Sequence, residues 1–399
     1  MALLAGLVLG TVFGVVEGFS LFSVSLARDL GINRGDSSAM YSVYLLACAG
    51  WAPSAGRIVD RCGSRRVILT AFPLLATGLA SCAAVVAPWQ LYGVYVLLIG
   101  PATTALIVAS QVMVTGHYEV DRGKALGLAF ACVGVGNLLL FSLLGIVVQG
   151  AGWRSAYLVA AAVGILVGIG FQRTERTEVA AAVAPGAEGE ELASSPRAPF
   201  RRPAFWFLAL TAIAAGVLDF VVFQHMVPYL LTVGYTESGA SFMLGLASVG
   251  YFAGQLGTGV LSDRVGREPL ALTAALLYAL GLALLWQLPP TWAVGGVAVT
   301  LGVAIGGAIG CRSAAMGDLF AGAGLGRVVG LIQIAATVGA ASATWLGGLV
   351  FDRTGGYGLT FSVATGCAGV MAVALWLAAP RTVRHQRAET VTDAPVAVI

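Results

Sequence analysis

The feature that most constrains this chain is a succession of apolar stretches, each about 20 residues long, set apart by short clusters of charge and turn residues. A helix of that length, at about 1.5 Å per residue, matches the roughly 30 Å hydrocarbon core of a bilayer. The stretches fall near 2–26, 37–56, 67–87, 89–113, 124–148, 154–171, 204–231, 238–261, 269–288, 292–316, 328–350 and 358–378. Only 10% of the residues are charged and 58% are hydrophobic. A soluble domain carries about 25% charge, so most of this surface must face lipid. In lipid each backbone group needs a partner within its own segment, which makes the stretches helices. The 54 glycines suit close helix contact.

The first stretch runs from Ala2 to about Leu26, which is longer than the core of a signal peptide. With the N-terminus in the cytoplasm, twelve crossings return the C-terminus there. The Lys and Arg residues then divide as 17 cytoplasmic and four external (Arg28, Arg34, Arg154, Arg353), with Arg312 inside a span. That asymmetry obeys the positive-inside rule. The long polar break, 172–203, is rich in Ala, Glu, Pro and Arg without apolar period and reads as a cytoplasmic linker. The expected organisation is a six-helix bundle over 1–171, the linker, a second bundle over 204–380, and a cytoplasmic tail over 381–399.

The two halves repeat at an offset of 203. Gly56, Asp60, Arg61 and Gly63 fall on Gly259, Asp263, Arg264 and Gly266; Gly127, Gly136, Gly145 and Gly152 fall on Gly330, Gly339, Gly348 and Gly355. Internal symmetry of this kind decides architecture. Parallel six-span repeats place a cavity at their interface and permit alternating access by rocking.

The loop after the second stretch reads Gly56-Arg57-Ile58-Val59-Asp60-Arg61-Cys62-Gly63-Ser64-Arg65-Arg66, and the loop after the eighth reads Gly259-Val260-Leu261-Ser262-Asp263-Arg264-Val265-Gly266-Arg267. Both resemble the G-x-L-x-D-R-x-G-R-[RK] signature of the major facilitator superfamily. The resemblance implies an all-α membrane protein of twelve transmembrane helices in two pseudo-symmetric six-helix halves, a usually monomeric carrier, with the loop glycines allowing helices to approach. A narrower stretch, His117 to Ala129, is similar to bacterial monocarboxylate porters and oxalate/formate-type carriers, as are Gly152-Trp153-Arg154 and His225-Met226-Val227-Pro228. This resemblance implies a multi-pass protein of the bacterial inner membrane. Those porters carry an arginine eight residues before the second loop Asp; here that residue is Gln255. Where animal members carry an Asp one turn earlier, Tyr251 stands, and Ser25 stands near their span 1 lysine.

Ionisable residues inside spans are costly and mark functional sites by default. Glu17 in span 1 and Asp219 in span 7 occupy equivalent places, as Gly14-Val15-Val16-Glu17 beside Gly216-Val217-Leu218-Asp219 shows, at an offset of 202. One inserted residue between spans 1 and 2 accounts for the difference. The superfamily resemblance places spans 1 and 7 on the cavity, so the two carboxylates are expected to face each other. Such a pair suits proton coupling, and equally a cationic or hydroxyl-rich ligand; packing residues, with Glu17 beside a glycine stripe, are the alternative. Arg312 either anchors an anionic substrate or snorkels to pair with Asp318. His225 either titrates near the outer mouth or is a hydrogen-bonded structural residue. Gln224, Tyr251 and Gln255 add neutral hydrogen-bonding groups. The Gly302-Gly306-Gly310 run reads as close packing, with a hinge as the alternative.

The leading expectation is a proton-coupled carrier of a small organic solute, monocarboxylate-like or another small metabolite. A proton-driven efflux antiporter is the alternative, and a membrane sensor or enzyme is a different class. No GxSxG, HExxH or clustered His or Cys motif supports an enzyme. The six scattered cysteines have no metal-ligand spacing, so neither metal nor cofactor is expected. A net charge of +3 gives no case for nucleic acid. The expected partners are the lipid bilayer, a small-molecule substrate and protons.

Overall fold

The computed structural model describes residues 2–117, 122–173, 199–287, 291–320 and 325–378, and side chains outside 115–131 and a few further positions. The linker between 174 and 198, the tail from 379 onward and most of the His117–Ala129 stretch lie outside the described residues.

The chain forms twelve membrane spans from thirteen α-helices. Span 1 is split into α1 (Ala2–Val16) and α2 (Phe19–Leu30). Then come α3 (Arg34–Cys62) and α4 (Ser64–Ala83). Span 4 joins α5 (Pro88–Val94), a π-turn (Tyr95–Ile99) and α6 (Gly100–His117). Spans 5 and 6 form one stretch, α7 (Arg122–Gln172), broken by non-helical torsions at Gly152. A short 3₁₀ turn (Pro199–Arg201) leads into the second half: α8 (Pro203–Thr232), α9 (Glu237–Val265), α10 (Arg267–Trp286), α11 (Thr291–Phe320), α12 (Leu325–Thr354) and α13 (Gly358–Ala378).

Among the described residues, nine helical stretches are long and apolar enough to cross a membrane, and one of them, Cys132–Gln172, contains two spans. The two spans that miss this criterion are α3 and α9. Both are rich in Gly, Ser and Ala, and both pack against the opposite half rather than face lipid alone, α3 on α12 and α9 on α7.

The repeat is written into the backbone. Gly31, Gly63 and Gly152 have φ of 64°, 78° and 80°, and Gly234, Gly266 and Gly355 have 95°, 107° and 72°. The three pairs each lie 203 residues apart. Only glycine takes these torsions without strain, so each half turns its chain at the same three points. The change of offset from 202 to 203 therefore falls between Glu17 and Gly31, on the loop side of the carboxylate.

The seam between halves closes at one end. At the Arg34 end, Asp352 accepts from the backbone N–H of Arg34 (3.1 Å) and Gly35 (2.6 Å). Arg34 donates to the Tyr357 hydroxyl (3.0 Å) and lies over the Phe351 ring. Ser42 donates to the Ala341 carbonyl (2.8 Å). On the second seam, Ser238 N–H donates to Gln149 (3.4 Å), and Gly134 meets Phe252. At the other end the same seam helices part: a Cβ added at Gly56 on α3, Gly257 on α9 or Gly330 on α12 would meet nothing within 4 Å. Gly56 therefore does not serve close helix approach here, contrary to the expectation from the loop signature.

Candidate functional site

The centre of the seam is polar. Glu17 occupies the break between α1 and α2, a half-buried carboxylate where regular helix stops. Gly14, one turn before it, lets α1 sit against α7; a Cβ there would run into Leu140 at 2.6 Å. Gly10 similarly abuts Gly136. The glycine stripe thus presses Glu17 against Asn137 of α7. Asn137 is fully buried, and its Nδ2 donates to Glu17 Oε2 (3.0 Å) and to Ser248 Oγ (3.3 Å) on α9 of the other half. Its Oδ1 is buried without a partner.

Asp219 on α8 faces Glu17 closely enough for their charges to interact. Asp219 also feels Arg312, and Tyr251 feels Glu17, Asp219 and Arg312 together. Carboxylates from opposite halves, a tyrosine from α9 and an arginine from α11 thus form one electrostatic cluster. Arg312 is only 6% exposed, and its Nε and Nη1 have no hydrogen-bond partner. Asp318, its expected partner had it snorkelled, accepts from Arg267 Nε instead (3.2 Å).

Close packing brings Arg312 and Tyr251 together. Gly302 and Gly306 on α11 lie against the Ala247 and Tyr251 carbonyls, Gly310 against Thr258 Oγ1, and Gly250 and Gly254 on α9 against Val299 and Val303. A Cβ at any of these would penetrate backbone or side chain, so the run is a packing device. Tyr251 is further held by edge contacts with Phe223 and Phe252. Gln255 lies one turn along α9 from Tyr251 and is half-buried.

The other candidates lie elsewhere. His225 is buried between α8 and α12, with Nε2 3.2 Å from the Ala343 carbonyl, its ring beside Tyr357 and its edge filling the space left by Gly347. Gln224, buried with Nε2 unpartnered, lines a small cavity at the Arg34 end with Ser23, Ser37 and Tyr357. Of the loop signatures, Gly63 and Gly266 are the positive-φ junctions between consecutive helices, while Arg61 and Arg264 are exposed. The side chains of Asp60 and Asp263, and the surroundings of Gly259, lie outside the description. Asn137 was not singled out by sequence; an asparagine in an apolar run carries no charge to draw notice.

Two bundles built on one repeat, meeting around ionisable groups from both sides, with the seam closed at one end and parted at the other, define a membrane carrier. The chain belongs to the Major Facilitator Superfamily, whose family model matches residues 2–247 and 226–397. It is 26% identical to monocarboxylate transporter 13 of Rattus norvegicus over 360 residues, 88% of this chain and 82% of that protein. It is 24% identical to the MFS-type transporter pynF of Aspergillus niger, over 92% and 86% of the two chains. Among solved structures it superposes on a D-xylose–proton symporter with TM-score 0.76 at 15% identity, covering 94% of this chain and 95% of that one. The nucleoside transporter NupG gives 0.75 at 12% identity, covering 94% and 99%. These likenesses are to transporters, not enzymes.

Proposed function

We propose that this chain is a proton-coupled secondary transporter of a small organic solute, monocarboxylate-like in class, working by alternating access. The observation that carries the reading is the cluster at the seam: Glu17 and Asp219, contributed by opposite halves, lie within electrostatic reach of each other, with Arg312 beside Asp219. In this reading the two carboxylates hold and release the proton, and Arg312 with Tyr251 and Gln255 receives the solute. An arginine on α11 compensates for the glutamine that stands where similar porters carry their span 8 arginine. Relatives named as monocarboxylate transporters, and a structural neighbour named as a proton symporter, support the same class.

The basic loops place both termini in the cytoplasm, so the parted end of the seam faces inward. The protein then sits in the cytoplasmic membrane of a bacterium as a monomer. The test is uptake into proteoliposomes under an imposed pH gradient, across lactate, pyruvate, oxalate, and neutral and cationic solutes. Gradient-dependent uptake of an anion that is lost in Asp219→Asn or Glu17→Gln supports the reading. Folded protein with no gradient-dependent flux, or flux unchanged in both variants, overturns it. Accumulation against an opposed gradient assigns the same site to efflux exchange.

A further inference from the structure

Asn137 stands at a junction that the carboxylate cluster alone does not explain. Its carboxamide is fully buried, and it touches both halves: Nδ2 donates to Glu17 in the first and to Ser248 in the second. Its oxygen lies beside Gly14, where a Cβ would sit 3.3 Å from Oδ1, and has no donor. A buried acceptor left without a donor carries a penalty that native structures mostly avoid.

Glu17 can supply the missing donor in one of its two states. An ionised carboxyl only accepts; a protonated one carries an O–H. A carboxamide offers both roles on one group. The carboxylate takes the Nδ2 proton, as seen here, and the carboxylic acid would give its O–H to Oδ1 once the amide turns over. Ser248, whose hydroxyl donates or accepts, can follow either orientation. A leucine could serve neither state, and an aspartate would offer only acceptors.

We propose that Asn137 is a positioning residue that partners Glu17 in both proton states and passes the change across the seam to Ser248. This rests on Glu17 being a proton carrier. The ionisable groups that face Glu17 are Asp219 from α8, Tyr41 from α3 and Tyr251 from α9, with Arg312 from α11 behind Asp219. Asn137 acts among them by hydrogen bonding, without charge of its own.

The test needs no substrate. Spin labels at Val86→Cys and Gln287→Cys, both exposed at the Arg34 end in opposite halves, report opening as a function of pH in a cysteine-depleted full chain in lipid nanodiscs. Asn137→Leu should keep a pH response but move its midpoint upward by about one unit, the loss of one charge-assisted hydrogen bond to the carboxylate. Asn137→Asp should move it upward as well, which serves if the leucine variant does not fold. Ser248→Ala should leave the midpoint and reduce the amplitude. An unchanged midpoint in the Asn137 variants, with the response abolished in Glu17→Gln, overturns the proposal and leaves the proton-carrier reading standing. A response that survives Glu17→Gln overturns the proton-carrier reading itself.

Discussion

The carboxylate of Asp352, at the end of α12, caps the first turn of α3 across the seam, accepting from Arg34 N–H at 3.1 Å and Gly35 N–H at 2.6 Å. The first N–H groups of a helix have no partner within it, and the helix dipole favours a negative charge there. One half thus completes the helix of the other, so the contact exists only while this end is closed. Asp352→Asn keeps the shape but removes the charge. A charged cap is worth about 1–2 kcal/mol, so the closed fraction at this end should fall by roughly 5- to 30-fold relative to the open one. The check is labelling of a cysteine placed at Ser38, beside Gly348 in the closed seam; Asp352→Asn should raise its labelling rate.

Glycines separate into those that packing requires and those it does not. A Cβ at Gly306 would overlap the Tyr251 carbonyl, whereas one at Gly56 meets nothing within 4 Å. Gly306→Ala should cost about 1–3 kcal/mol through forced backbone shifts and lower the thermal midpoint of the detergent-solubilised protein. Gly56→Ala should leave that midpoint unchanged or slightly raised, because alanine favours helix by about 1 kcal/mol. Equal losses in both would show that α9 and α11 are not held this closely.

Much of this was legible in the sequence because lipid makes the rules strict. Spans show as apolar runs, and Glu17, Asp219 and Arg312 stand out within them because charge there is costly. The repeat was legible because glycines with positive φ keep their spacing. Neighbours across the seam were not. Nothing in a local pattern shows that Gly14 drives Glu17 against Asn137, or that His225 fits the gap at Gly347. Asn137 pays too little in an apolar run to draw notice, and the loop signature could not tell that Gly56 faces open space while Gly63 and Gly266 supply turns.

The junction of spans 5 and 6 combines a torsional and an electrostatic element. Gly152 has φ of 80°, and next to it Trp153 Nε1 (2.8 Å) and Arg154 (3.0 Å) both donate to Asp29 at the end of α2. Gly152→Ala should cost about 1–2 kcal/mol from the left-handed torsion. Asp29→Ala should cost about 1 kcal/mol, chiefly by orphaning the indole N–H, since the arginine pair is half-exposed and worth little. Thermal unfolding of the two single variants and the double checks this. The two sites act on one junction by different means, so the double variant should fall close to the sum.

Arg312 decides what the site admits. Its guanidinium is buried, with two nitrogens unpartnered and Asp219 as its electrostatic neighbour. An ion kept in such a place costs several kcal/mol unless an opposite charge meets it. Asp219 meets part of that need, and the open hydrogen-bonding positions leave room for an anion. Hydrogen bonds to charged groups contribute about 1.5–3 kcal/mol, so Arg312→Gln should weaken binding of an anionic solute by on the order of 10- to 100-fold. Arg312→Lys should restore only part of it, since the ammonium keeps the charge but loses the planar fork that matches a carboxylate. The measurement is equilibrium binding of the solute panel to purified protein, with thermal unfolding to confirm that each variant is folded. Undiminished anion binding by Arg312→Gln would assign the residue to holding Asp219 alone.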